Sequence, residues 1–267
     1  MVNIKKVSIV ALLLLIVGTV GSLLTFRTAN KTESVSMEKV IDNQNITSVQ
    51  LDSDNAEVKI IPTNDTVPKV TLSGRGKPGT KQSFSTSVNG NTLSIKQKYQ
   101  QLKFFNFDFL TTKLTLKVFL PEKQYNSLKI ENNNGVVQLN NMKINHLNAT
   151  TDNGRITMKN VSTILTYVES NNGQINLDHV DGKIKGRTDN GKISLITKDL
   201  DHKLDFGTDN GSILIQTEKD PTNVTFTTHT DNGSINILGK YNGNAVIGNG
   251  DNLIKLSTDN GSITVTK

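Results

Sequence analysis

The second half of the chain alternates apolar and polar residues around a recurring glycine. Two residues after Gly135, Gly154, Gly173, Gly191, Gly211, Gly233 and Gly261 stand Val137, Ile156, Ile175, Ile193, Ile213, Ile235 and Ile263. Four after them stand Leu139, Met158, Leu177, Leu195, Ile215, Ile237 and Val265, with polar residues such as Thr157, Asn176, Ser194 and Asn236 between. A period of two is that of a strand with one buried face. The alternation also runs upstream: seven and five before the glycine come Leu128/Ile130, Leu147/Ala149, Thr166/Val168, Ile184/Gly186, Leu204/Phe206, Phe226/Thr228 and Ile254/Leu256. Three before it comes Thr or Ser in six of seven cases. The glycines lie 18 to 28 residues apart, so the unit is a repeat of about twenty residues.

The residue before the glycine is Asn, and T-D-N-G-S-I occurs three times, at 208–213, 230–235 and 258–263. The pairs Asn153-Gly154, Asn172-Gly173, Asn190-Gly191, Asn210-Gly211, Asn232-Gly233 and Asn260-Gly261 tolerate positive φ, which predicts a corner between two strands. A hairpin meander satisfies that pattern too, because a two-residue turn places the third residue before glycine opposite the second after it. The solenoid is the preferred reading: each unit has one corner signature and one apolar stripe, and like units stack in register. Stacked Asn153, Asn190, Asn210, Asn232 and Asn260 would form an amide ladder, and seven rungs at ~4.8 Å would reach ~34 Å. The Thr hydroxyls suit a tight inner position, where they can bond backbone.

Upstream, residues 47–130 read as irregular β structure, with strands at 48–52, 57–61, 69–73, 83–88, 92–96 and 113–120. Asp54-Asn55-Ala56-Glu57-Val58 reads as a worn copy of the corner, and Asn89-Gly90 as a hairpin turn. Gly74 to Gly79 matches G-x-G-x-x-G, but Pro78 and the strand-like segment that follows make it a loop, not a dinucleotide site. Residues 7–26 carry no charge and are long enough for one membrane span, with Lys5 and Lys6 before them. They are read as an uncleaved anchor, with residues 1–6 cytoplasmic, 27–46 a polar linker and the rest outside the membrane. The predicted organisation is therefore a transmembrane helix, a linker, an irregular β cap at 47–130 and a D-N-G solenoid at 131–267.

Composition narrows the chemistry. No Cys is present, which excludes thiol catalysis, disulfides and thiolate metal sites. No Trp is present, and aromatic platforms for sugar are not evident. Net charge is +6, concentrated at 75–117, where eight Lys/Arg face a single acid, Asp108. Such a face suits anionic wall polymer or lipid, or is simply solvated. Asp152, Asp189, Asp209, Asp231 and Asp259 form a column if the rungs stack; it is a weak calcium candidate beside the plainer reading of turn residues bonding local backbone. Phe104, Phe105, Phe107 and Phe109 form either an interaction patch or a lid over the open end of the coil. The four histidines sit at different offsets and do not stack.

The N-terminal anchor, Val49-Gln50-Leu51, Asp54 to Val58, Leu116 to Pro121 and the run of x-T-D-N-G-x-I together resemble the bacterial putative-adhesin family of DUF-type β-solenoids. That family includes LiaG-like membrane-anchored envelope proteins. The resemblance spans about residues 40–267. It implies an all-β, right-handed, single-stranded parallel β-helix at the cell surface. It carries no catalytic residue across. The expected role is binding, scaffolding or envelope stress, with a surface adhesin, calcium-stiffened or not, as the alternative; a carbohydrate-active enzyme would need a convergent acidic cleft. No cofactor and no nucleic-acid partner are expected. The expected partners are the membrane, anionic wall polymer or a membrane protein.

Overall fold

The residues picked out by the alternation are inside. Val137, Ile156, Ile175, Ile193, Ile213 and Ile263 are fully buried, as are Leu139, Met158, Leu195, Ile215, Ile237 and Val265. Only Ile235 of the first set is half-buried. In a computed structural model, which describes residues 4–29, 33–76, 82–99 and 113–267, these side chains line one continuous core.

The described chain begins with a helix, α1 (Ile4–Ala29). Seven strands follow: β1 (Glu33–Val40), β2 (Ser48–Asn55), β3 (Glu57–Thr63), β4 (Lys69–Gly76), β5 (Gln82–Asn89), β6 (Thr92–Tyr99) and β7 (Lys113–Pro121). A long winding segment, β8 (Gln124–Asn190), carries three rungs and opens a fourth. Then come β9 (Ile193–Thr197), β10 (Leu204–Asn210), β11 (Ile213–Thr217), β12 (Val224–Ile237), β13 (Ala245–Ile247) and β14 (Asn252–Thr266).

Repeats stack parallel and in register. Leu204–Asn210 pairs with Ile184–Asn190, and Ile213–Thr217 with Ile193–Thr197. Across Asp-Asn-Gly the inward parity shifts: the third residue before glycine and the second after it both face the core, although five apart. A second change of direction, absent from the sequence reading, lies six residues after glycine. There Asn141, Asn160 and His179 adopt φ of 55°, 52° and 54°. Met142, Val161 and Val180 follow them into the core as a third inward row.

The stack departs from chain order at its end. β14 lies between β11 and β12: Ile213–Gln216 pairs with Ile263–Thr266, and Val224–Ile237 pairs with Asn252–Val265. The last segment of the chain is thus the penultimate rung, and the Gly233 rung is outermost.

Upstream, the worn copy is a true rung, with Asn55 beside Asn134 and Val58 beside Val137. All six strands expected in this region occur. Beyond that rung the stack divides. β6 continues parallel from β2 and pairs antiparallel with β5. β7 continues parallel from β3, then β4 and β1 add antiparallel. The segment expected as a linker is therefore partly structural: β1 pairs with β4 from Glu33↔Gly76 to Val40↔Lys69, and Ile41 and Ile46 are buried. An apolar residue every few positions was too sparse a signal for an edge strand. The Gly74–Gly79 loop is corrected likewise, since Gly74 to Gly76 end β4; Gly74 (φ +145°) lies against the Lys113 carbonyl. Residues 77–79 and the Phe104, Phe105, Phe107 and Phe109 patch lie outside the described residues. Lys5–Ser22 of α1 has mean hydropathy 1.8 and buries nothing in the chain, so by length and composition it can cross a membrane, as a signal sequence also can.

The expected reason for the repeated glycine is corrected. Of the seven, only Gly135 and Gly261 have φ in the positive region, at 128° and 154°. Close approach is the cause. A Cβ on Gly154, Gly173, Gly191, Gly211 or Gly233 would lie 1.6–1.8 Å from the carbonyl oxygen of the glycine one rung away. No side chain fits there. Gly173→Ala is expected to destabilise the protein by about 3 kcal/mol or more, because the obstacle is backbone. Gly243→Ala, with open space around it, should be near neutral. Urea unfolding of the two variants checks this; equal stabilities would contradict it.

Candidate functional site

The repeated polar residues are consumed in holding rungs together. Asn134 Nδ2 donates to Asn55 Oδ1 at 2.7 Å, Asn153 to Asn134 at 3.0 Å and Asn172 to Asn153 at 3.0 Å. The ladder continues through Asn190 (2.9 Å), Asn210 (3.0 Å), Asn260 (3.0 Å) and Asn232 (3.1 Å), each amide donating to the preceding rung. The expected ladder is present, extended by Asn55, Asn134 and Asn172, and its order follows the displaced last rung. A second ladder runs inside it. Ser170, Thr188, Thr208, Thr258 and Thr230 donate their hydroxyls to the glycine carbonyl of the preceding rung at 3.1–3.4 Å. Asn160 also donates to Asn141 at 3.0 Å, at the positive-φ position.

The aspartates form a broken column. In spatial order it reads Asp54, Asn133, Asp152, Asn171, Asp189, Asp209, Asp259, Asp231, so the last four rungs carry four carboxylates in a row, as they would in chain order too. The five candidates, Asp152, Asp189, Asp209, Asp231 and Asp259, are exposed. They run along an edge, and Asp231 accepts from His229 Nε2 at 2.9 Å. Among the described residues no group of three or more His, Cys, Asp or Glu converges as a metal site.

One charged cluster spans several rungs. Lys159 Nζ lies 2.9 Å from Asp178 Oδ2. His179 bonds Asp178 Oδ1 through Nδ1 at 2.5 Å and Glu218 Oε1 through Nε2 at 3.0 Å. The hydrogen bond to Asp178, then that to Glu218, holds the imidazole above its ordinary pKa of 6.5. Lys159, then His179, holds the Asp178 carboxyl below its ordinary range. His202 goes the other way, pushed down by burial, with Nε2 buried and unpartnered among the described residues.

The outer face of the strands preceding the Asn ladder carries a different pattern. Lys203, just before β10, lines one groove with Lys183 and Leu253, and Asp205 is paired with Lys185 and Lys255. Arg187 closes over Gly207: its Nη1 donates to the carbonyls of Gly186 (2.9 Å) and Asp205 (2.8 Å), and its Nη2 to Asp205 Oδ1 at 2.6 Å. Tyr167 donates to Glu169 at 2.5 Å, which with burial pushes its phenol up to about 12. Lys185 Nζ lies 5.9 Å from the Tyr167 ring centroid. A shallow groove of about 210 Å³ runs here between Leu165, Lys183, Lys185, Lys203 and Lys255. The sequence held a partial signal for it, lysines eight residues before Gly191 and Gly211 and six before Gly191 and Gly261, but Lys255 reaches the groove only because β14 is displaced.

The Toastrack DUF4097 family model matches residues 46–164 and again 137–266, together covering most of the chain. No curated protein matches. Among solved structures, the chain is similar to a "putative cell adhesion protein" of Clostridium sporogenes ATCC 15579 at 12% identity and TM-score 0.42, covering 88% of this chain and 99% of that one. It is similar also to a "putative adhesin" of Bacteroides fragilis NCTC 9343, at 12% identity and TM-score 0.48, covering 88% and 98%.

Two outcomes are expected. Asn190→Ala breaks two ladder bonds and should cost about 1–2 kcal/mol, whereas Asn232→Ala breaks one, at the end, and should cost about half as much. Chemical denaturation distinguishes them, and equal costs would count against a continuous ladder. In an NMR titration, His179 should have its midpoint above 6.5 and His202 below it. The His179 contribution to stability is complete below the unfolded-state pKa and is lost as pH rises through the folded value; that of His202 is lost as pH falls through its own. Two midpoints at 6.5 would contradict both assignments.

Proposed function

This chain belongs to the Toastrack DUF4097 family, and on that premise we propose that it is a non-catalytic β-solenoid. It is anchored in the cell membrane by an uncleaved α1, displayed outside the cytoplasm, and binds or scaffolds envelope components, with a part in envelope stress. The D-N-G segments are its corners and the coil is right-handed. The observation that carries the reading is the fate of the repeated residues. Asn amides bond Asn amides, hydroxyls bond glycine carbonyls, and glycines make room for backbone. Residues committed to stacking make a stiff rod, and such a rod offers its outward faces to partners. The lysine-framed outer face favours anionic wall polymer over a membrane protein as the partner.

Protease applied to cells stripped of their wall tests the location. The full-length chain should pellet with membranes, resist alkaline extraction and lose residues 33–267 to the protease. A mature chain starting after α1, free of the membrane, would replace the anchor with a cleaved signal. Full protection from protease would overturn the extracytoplasmic placement.

A further inference from the structure

We propose that the groove on the outer face of β10, β14 and the end of β8 is the binding site for an anionic polysaccharide chain. This inference rests on the extracytoplasmic location proposed above. Three outward rows cross four adjacent rungs. The first is Leu165, Lys183, Lys203, Leu253; the second is Tyr167, Lys185, Asp205, Lys255; the third is Glu169, Arg187, Gly207, Ser257. They hold five cationic and two anionic side chains, a net of +3, within a stretch (131–267) that otherwise has more acids than bases.

The local partners are arranged so that the lysines stay uncompensated. Asp205, the carboxylate at the centre, is taken by Arg187, which is itself fixed by two backbone carbonyls. Glu169 is taken by the Tyr167 hydroxyl. Lys183, Lys203 and Lys255 make no ion pair among the described residues. The contrast lies on the same face a few rungs away, where Lys129 bonds Glu131 at 2.7 Å. Gly207 keeps the floor low, since a Cβ there would meet Arg187 Cδ at 3.2 Å.

Spacing and shape select the class of ligand. Lys183 and Lys203 are one rung apart, ~4.8 Å, while Lys185 and Lys255 flank Asp205 two rungs apart, ~9.6 Å. The ammonium groups therefore frame a line of negative charge and not one point. Leu165, 44% exposed, and Leu253 form apolar shoulders at the two ends, and the Tyr167 ring lies beside Lys185. Sugar rings present C–H faces to such shoulders and carry anionic substituents on their rims. The shallow groove, about 210 Å³, is concave, whereas a lipid surface is flat.

The test uses the full chain in nanodiscs of neutral lipid, with a galacturonate oligomer as probe and dextran as the uncharged control. Galacturonate should bind and dextran should not, with affinity falling about tenfold or more between low and high salt. Lys185→Gln with Lys203→Gln should weaken binding about tenfold. Lys143→Gln with Lys198→Gln, an equal charge change at exposed positions elsewhere, should leave it within about twofold. Near-ultraviolet circular dichroism confirms that both variants stay folded. Equal losses in the two variants would overturn the site in favour of diffuse attraction by net charge. Binding to phosphatidylglycerol vesicles without binding to galacturonate would make a lipid surface the occupant and overturn the proposal. Absence of binding to either would overturn it too, while the location reading still stands or falls on protease accessibility.

Discussion

Contact between glycine backbones in successive rungs sets the geometry of the whole stack. Each carbonyl in that column occupies the space where the next rung's side chain would begin. With the backbones so close, Asn amides one residue away fall within hydrogen-bond reach, and so do the hydroxyls three residues before. Each interior amide both donates and accepts, so no rung can shift without breaking bonds on two sides. The apolar rows then follow as consequences: register fixed at the glycine places Ile on Ile and Leu on Leu across the core. Phe206 shows how far the match extends, filling the room left by Gly186 in the neighbouring rung.

Interchangeable rungs allow the displaced end. The three identical T-D-N-G-S-I segments are neighbours in space, in the order 208–213, 258–263, 230–235. Any one of them satisfies the ladders of the next. The chain passes over one rung position, forms β12, reverses through β13, and returns as β14 to fill the gap. Its outermost edge is only partly covered: β13 pairs with Val224 to Phe226, and Asn244 Oδ1 accepts from the Thr228 amide at 2.7 Å. A side-chain amide there stands in for a missing strand and shortens the edge open to other chains. Displacement also builds the outer groove, because it brings Lys255 beside Asp205.

What could be read from sequence divides along physical lines. Period-two burial, the asparagine ladder and the worn first rung were legible, since each depends on residues at fixed offsets. The role of the glycines was misread because positive φ and close approach favour the same residue; only coordinates separate the two. The bend at Asn141, Asn160 and His179 was hidden because its residues change from rung to rung, while the fold needs only a φ that Asn and His tolerate. Strand β1 was hidden for another reason, as pairing with β4 supplies what its sequence lacks. The order of the last two rungs was illegible in principle, since identical segments cannot reveal which neighbour they choose.

That order is also the point at which stacking by like residues is most exposed to test. The chain has no native cysteine, so paired substitutions report proximity without background. Ser212→Cys with Ser262→Cys, and Ser234→Cys with Ser262→Cys, place thiols on adjacent rungs and should each oxidise to an intramolecular disulfide. Ser212→Cys with Ser234→Cys places them two rungs apart and should stay reduced. Ready bridging of 212 with 234, and none of 212 with 262, would mean that rungs stack in chain order and would contradict the account.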